Sequence, residues 1–174
     1  MKNKLIVSIM LLIFISFSAV AKESNLIVLK TTGNVISAQE QLLANALGYL
    51  NQFWSDQEKS FSREIAEKYF DPDTLLIING KTVYRGYAQL ISHFETVKKN
   101  IRGQIKFPFL EIIGVDDRLI VRFDENISDN HGGQYPSNVI AIFTLRNGKI
   151  WKWDAVVNSA YFSQPDAQKV VYSK

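Results

Sequence analysis

The stretch YFDPDTLLIINGKTVYRG, Tyr69 to Gly86, decides how the chain is read. Ser62 to Tyr69 carries Ile65, Ala66 and Tyr69 on one helical face, and Asp71-Pro72-Asp73 ends that helix. Proline disfavours helical geometry in the residue before it. Thr74 to Ile78 is apolar and β-prone, Asn79-Gly80 is a hairpin dipeptide, and Thr82 to Arg85 is the return strand. Gly86 then opens a helix whose face reads Tyr87, Leu90, Ile91, Phe94, Val97 and Ile101.

Upstream, Ser37-Ala38-Gln39-Glu40 is a capping box, followed by Leu42, Leu43, Ala46, Tyr49, Leu50 and Phe53 at helical spacing. Downstream of Gly103 the period changes to strands: Gln104 to Ile113, Arg118 to Ile127, Tyr135 to Arg146 and Lys149 to Asn158. Arg146-Asn147-Gly148-Lys149 is the strongest hairpin signal in the chain. Helices followed by a hairpin, a helix and long strands predict an α+β domain with helices covering one face of a curved sheet.

The ends set compartment and boundaries. Met1-Lys2-Asn3-Lys4, the apolar run Leu5 to Val20 and Ala19-Val20-Ala21 have the order of a cleaved signal peptide. The expected division is signal peptide 1–21, lead-in 22–36, domain 37–162 and a partly ordered tail 163–174. The product is expected to be exported, periplasmic or secreted, with no membrane span after cleavage. The chain has no cysteine, which excludes a thiol nucleophile, thiolate metal sites and disulfides. Net charge is +3, of which Lys2 and Lys4 supply two, and no basic block marks a nucleic-acid surface.

Taken in order, Tyr69-Phe70-Asp71-Pro72-Asp73, Gly80, Gly86 before a helix and Asn147-Gly148-Lys149-Ile150 before the last strand resemble the nuclear transport factor 2-like superfamily. That superfamily includes ketosteroid isomerases and SnoaL-like polyketide cyclases. The resemblance spans residues 37 to 160 and implies a cone: a strongly bent antiparallel sheet wrapped around about three N-terminal helices, with a pocket at the open end. Proton transfer of the isomerase type needs a carboxylate base and a neutral acid donor. Laid on this chain, the resemblance puts those positions at Ile77 and Ile140, so isomerase chemistry is not expected and the enzyme question leans toward no. A one-residue slip of the last strand would bring Asp154 to the cyclases' catalytic aspartate, and Asp154 is the catalytic candidate on that reading. Its alternative is an outer-face ion pair with Lys152 or Arg122.

Pairing Arg146 with Lys149 places Leu145 opposite Ile150 and Thr144 opposite Trp151, which predicts one face carrying Ile140, Ile142, Thr144, Trp151, Trp153, Ala155 and Val157, and the resemblance implies that this face lines the pocket. With Trp54, Ile77, Tyr84 and Phe94, the residues Ile140, Ile142, Trp151 and Trp153 form the expected ligand-binding set, and Tyr84 and Arg122 would supply polar orientation. The opposite face, with Val139, Ala141, Phe143 and Val156, is expected to pack a homodimer. His93 reads as a helix-flank residue and His131 as part of a polar glycine loop. No metal or cofactor is expected. Three functions stay open: a binding protein for a small hydrophobic molecule, a cyclase, isomerase or dehydratase using Asp154 or a histidine, and an interaction module working through its sheet.

Overall fold

The computed structural model describes residues 37–172; the expected signal peptide and lead-in lie outside the described residues. Helix α1 (Ala38–Ser55) begins at the Ser37 capping box: Ser37 Oγ accepts from the Glu40 amide at 3.2 Å, and Glu40 Oε2 accepts from the Ser37 amide at 2.8 Å. Two orphan amides are satisfied together, which fixes where the helix starts. Helix α2 (Arg63–Tyr69) is capped by Ser62 and ends where Asp71-Pro72 requires extended backbone.

Strands β1 (Phe70–Ile78) and β2 (Lys81–Arg85) form the expected hairpin, with Asn79 and Gly80 both at positive φ. Helix α3 (Gly86–Asn100) follows, then β3 (Ile101–Ile105), β4 (Glu111–Val115), β5 (Arg118–Asp129), β6 (Gln134–Arg146) and β7 (Lys149–Ser159). A short 3-10 helix (Ala160–Ser163) and helix α4 (Ala167–Val171) complete the described chain. The strands form one mixed sheet, β2-β1-β7-β6-β5-β3, with β4 also on β5. Every pair is antiparallel except β1 with β7, which is parallel. The fold is α+β, with a strongly curled sheet closing around α1 and α3. Leu43, Leu47, Leu50 and Phe53 of α1 meet Leu90 and Phe94 of α3 and the inner face of β5 and β6.

Three sequence expectations change. The strand expected over Gln104 to Ile113 is an edge in two halves: β3 pairs the C-terminal half of β5 and β4 its N-terminal half. Pro108 lies between them and has no amide to donate to a ladder. The segment expected as a partly ordered tail carries helix α4 within the described residues. Tyr161, Ala167 and Val171 pack with Val97, Ile101 and Ile127 in a second apolar cluster.

The third change decides the site. Arg146 pairs with Lys149 and Leu145 with Ile150, as the Asn147-Gly148 turn dictates, but a bulge then leaves Trp151 unpaired and puts Thr144 opposite Lys152. One extra residue flips every following side chain of one strand relative to the other. Val139, Ala141 and Phe143 therefore point inward and are fully buried, whereas Ile140 is 50 % exposed and Ile142 41 % exposed. Both isoleucines were expected in the pocket and lie on the outer face instead. Val139, Ala141 and Phe143 likewise cannot form the expected dimer surface. Only Val156, 63 % exposed, stands where that surface was drawn.

Candidate functional site

Inside the curl lies a cavity of about 90 Å³. Leu76 and Ile78 of β1, Phe94 and Val97 of α3, and Trp153 and Ala155 of β7 line it. Phe162 and Val171 cover one side, so the C-terminal segment is part of the wall. The lining is apolar except for four groups: the carboxyl of Glu125, Nδ1 of His93, and the indole nitrogens of Trp54 and Trp153. The two indole nitrogens and His93 Nδ1 are buried without a hydrogen-bond partner, and the half-buried Glu125 carboxyl takes part in no hydrogen bond or ion pair among the described residues.

Each is placed by its element. Along β5, Leu119, Val121, Phe123, Glu125 and Ile127 alternate inward, so a carboxylate occupies a core position of the strand. It has room because Gly103, diagonal to it on the neighbouring strand β3, has no side chain. A Cβ at residue 103 would lie 2.7 Å from Glu125 Oε1 and 2.9 Å from Trp54 Cζ3. Burial pushes the Glu125 carboxyl from its ordinary 4.5 up to about 7. His93 lies on the buried stripe of α3 between Leu90 and Val97, its ring 5.6 Å from Phe94 and 5.7 Å from Tyr84. Burial pushes its pKa from 6.5 down to about 4, so near neutrality it is an uncharged imidazole. The cavity thus combines a carboxyl group able to hold or release a proton at neutral pH with two indole donors and a neutral imidazole. Shifted groups gathered in a cavity make it the candidate functional site.

Of the residues expected to bind ligand, Trp54, Phe94 and Trp153 line the cavity. Ile77 does not: its neighbours Leu76 and Ile78 take the inward positions, and Ile77 pairs with Asp154. Tyr84 is fully buried in the core outside the lining, with its phenol pKa raised by burial. Trp151, at the bulge, lies under the Arg146 guanidinium at 5.2 Å. Asp154 faces outward and pairs with Lys152 at 2.9 Å, so the catalytic candidate is an outer-face ion pair. Arg122 lies on the surface, 3.7 Å from Glu111. Among the described residues no three metal-ligating side chains gather.

Glu125 was missed, and His93, read from the sequence as a helix-flank residue, lies on the buried stripe instead. Their signal was present in the sequence: Glu125 interrupts an otherwise apolar alternation from Leu119 to Ile127, and His93 sits at the i+3 position between Leu90 and Phe94. A polar residue at a core position is more informative than an apolar one.

No family model matches the sequence, and no curated protein matches it. Solved structures do. A nuclear transport factor 2-like protein from Burkholderia xenovorans aligns over 71 % of this chain and 93 % of its own, with TM-score 0.57 at 14 % identity. A putative polyketide cyclase from Xanthomonas campestris aligns over 70 % and 90 %, with TM-score 0.57 at 16 % identity. An LEH-like epoxide hydrolase from M. tuberculosis aligns over 75 % and 89 %, with TM-score 0.53 at 13 % identity. At these identities the likeness is one of architecture: the chain has the nuclear transport factor 2-like fold.

Proposed function

We propose that this is an exported protein that binds a small, mainly apolar molecule in the cone and orients it through one polar group. One observation carries the reading: three buried polar atoms without protein partners, on Trp54, His93 and Trp153, and the half-buried carboxyl of Glu125 belong to residues that line the same apolar cavity. Leaving a buried donor or acceptor unpaired costs about 1–3 kcal/mol. Three such costs in one place suit a site that a ligand or water completes. A carbonyl or hydroxyl oxygen fits the donors available, namely two indole N–H groups and a protonated Glu125. Native mass spectrometry of the protein isolated from its own compartment is expected to show an added organic mass that disappears on denaturation. An unladen protein that takes up no small ketone or alcohol would count against the reading.

A second reading is acid–base catalysis of the cyclase, isomerase or dehydratase type, with Glu125 as the proton carrier. It is favoured by the position of its pKa near neutrality, where a group exchanges protons most effectively. Putative polyketide cyclases and an LEH-like epoxide hydrolase share the fold, but fold alone does not assign chemistry.

The oligomeric reading is a homodimer through the outer face. Ile113, Ile120, Ile140, Ile142 and Val156 are exposed there, and Ile120 sits opposite both Ile113 and Ile142 in the ladder. An apolar patch of this kind suits an isologous contact, in which the same surface of two copies meets about a two-fold axis. Ile142→Glu is expected to hold the protein as a monomer with its melting temperature within a few degrees of the parent. An unchanged mass in solution would reject this interface.

A further inference from the structure

A second concavity adjoins the first. Asn51, Gln52 and Ser55 of α1, Arg102 and Gln104 of β3, and Ser128 of β5 line a polar surface groove of about 440 Å³. It shares two residues with the inner cavity, Trp54 and Gly103. The indole of Trp54 lying on Gly103 is therefore the partition between a polar groove and an apolar chamber. Gly103 is its thin point, since Glu125 Oε1 and the Trp54 ring both crowd the space where a Cβ would stand.

The groove is built to accept a negative group. Arg102 is the one charged residue in its lining, and among the described residues no carboxylate lies within ion-pair distance of it. With the Gln57 amide turned to present its oxygen, Arg102 donates to it from Nε at 3.1 Å and Nη2 at 2.8 Å, a neutral partner that leaves the charge uncompensated. A backbone donor adds to this. The Ile105 amide donates to Asn51 Oδ1 at 2.8 Å, and Asn51 Nδ2 donates to the Ile105 carbonyl at 2.7 Å, so Ile105 directs both groups away from β5. By the alternation of an antiparallel ladder, Gly103 directs its N–H the same way, toward the groove.

The geometry points to a single bipartite site for an amphipathic organic anion, its apolar end in the chamber and its carboxylate on Arg102 and the Gly103 amide, with the Trp54 indole swinging aside to join the two halves. This rests on the small-molecule reading above and adds the ligand's chemical class and its polar anchor.

Calorimetric titration at pH 6 with octanoate, butyrate and 1-octanol tests it. Octanoate is expected to bind more tightly than butyrate, by about fourfold for each methylene that enters the chamber. Arg102→Gln, an exposed position where folding is preserved, is expected to weaken octanoate relative to 1-octanol by about three- to tenfold. Equal affinities for octanoate and butyrate would show that no chain enters the chamber and would overturn the inference. So would an octanoate to 1-octanol ratio untouched by Arg102→Gln. Binding of 1-octanol without octanoate would remove the anionic half and leave the small-molecule reading standing; binding of neither would remove both.

Discussion

Glu125→Gln raises the melting temperature at pH 8 and leaves it nearly unchanged at pH 4. Below the ordinary carboxyl value of 4.5, Glu125 is protonated in both the folded and the unfolded chain, so it has no effect on stability. Between 4.5 and about 7 the folded state keeps a proton that the unfolded chain releases, so stability falls as pH rises. Above about 7 the penalty is complete, because a charged carboxylate sits without partners among apolar side chains. The full shift corresponds to an upper limit of about 3 kcal/mol. Glu125 is partly buried rather than sealed, so about 1–2 kcal/mol is the expected gain from the neutral, nearly isosteric amide, or about 4–8 °C. The same variant is expected to abolish any turnover, whereas Asp154→Asn retains it. A residue whose removal stabilises the fold while ending its activity is the signature of a site held at the expense of stability. Melting curves at pH 4, 6 and 8 decide the matter; no gain at pH 8 would mean that the carboxyl is well solvated.

His93 sets the opposite slope over a neighbouring window. Its folded pKa is about 4 against an ordinary 6.5, so between those values the unfolded chain binds a proton that the folded chain refuses, and stability falls as pH falls. The two groups oppose one another between pH 4.5 and 6.5, where the parent protein's stability is correspondingly flat. Glu125→Gln removes one slope and exposes the other. The variant's stability therefore climbs from pH 4 to about 6.5 and then levels off. Asp71, whose carboxyl is held below its ordinary range by hydrogen bonds from Arg146, adds a further loss only below pH 3.8.

The architecture was legible because its punctuation is local. The Ser37–Glu40 box, the Asp71-Pro72 stop and the two Asn-Gly turns each act within four residues, and each stands where its chemistry places it. The site was less legible because it depends on register. The turn at Asn147-Gly148 pins only the first two pairs of its hairpin; nothing in Leu145, Trp151 or Lys152 announces the extra residue that follows. That single bulge moved Ile140 and Ile142 outside and brought Val139, Ala141 and Phe143 in. On β7, Trp153 and Ala155 kept the expected face. The alternation of β5 had no such interruption, and it carried the one acidic residue that matters. An approach fixed on the family's expected carboxylate positions passes over a carboxylate on a different strand.

Gly103→Val destabilises the protein only while Glu125 and Trp54 keep their side chains. Gly103 does not adopt a left-handed φ, so no backbone constraint demands glycine. On intrinsic grounds a β-branched residue in β3 stabilises by several tenths to about 1 kcal/mol. Against this, the new Cβ would stand 2.7 Å from Glu125 Oε1 and 2.9 and 3.1 Å from two carbons of the Trp54 ring. The carboxyl is the more yielding obstacle, being half-buried, whereas the indole is packed edge-on against Phe94 with ring centroids 6.3 Å apart. Overpacking of this kind costs about 1–3 kcal/mol, and the added methyl groups take volume from both the chamber and its partition. The expected net loss is about 1–2 kcal/mol, together with loss of octanoate binding. A double-mutant cycle separates steric conflict from a general weakness of the strand: in a Glu125→Ala background the valine substitution is expected to cost less by about 1 kcal/mol or more, since one of its two obstacles is gone. Strict additivity would mean that the glycine serves the backbone, and that the close approach of carboxyl, indole and β3 has no part in holding the site open.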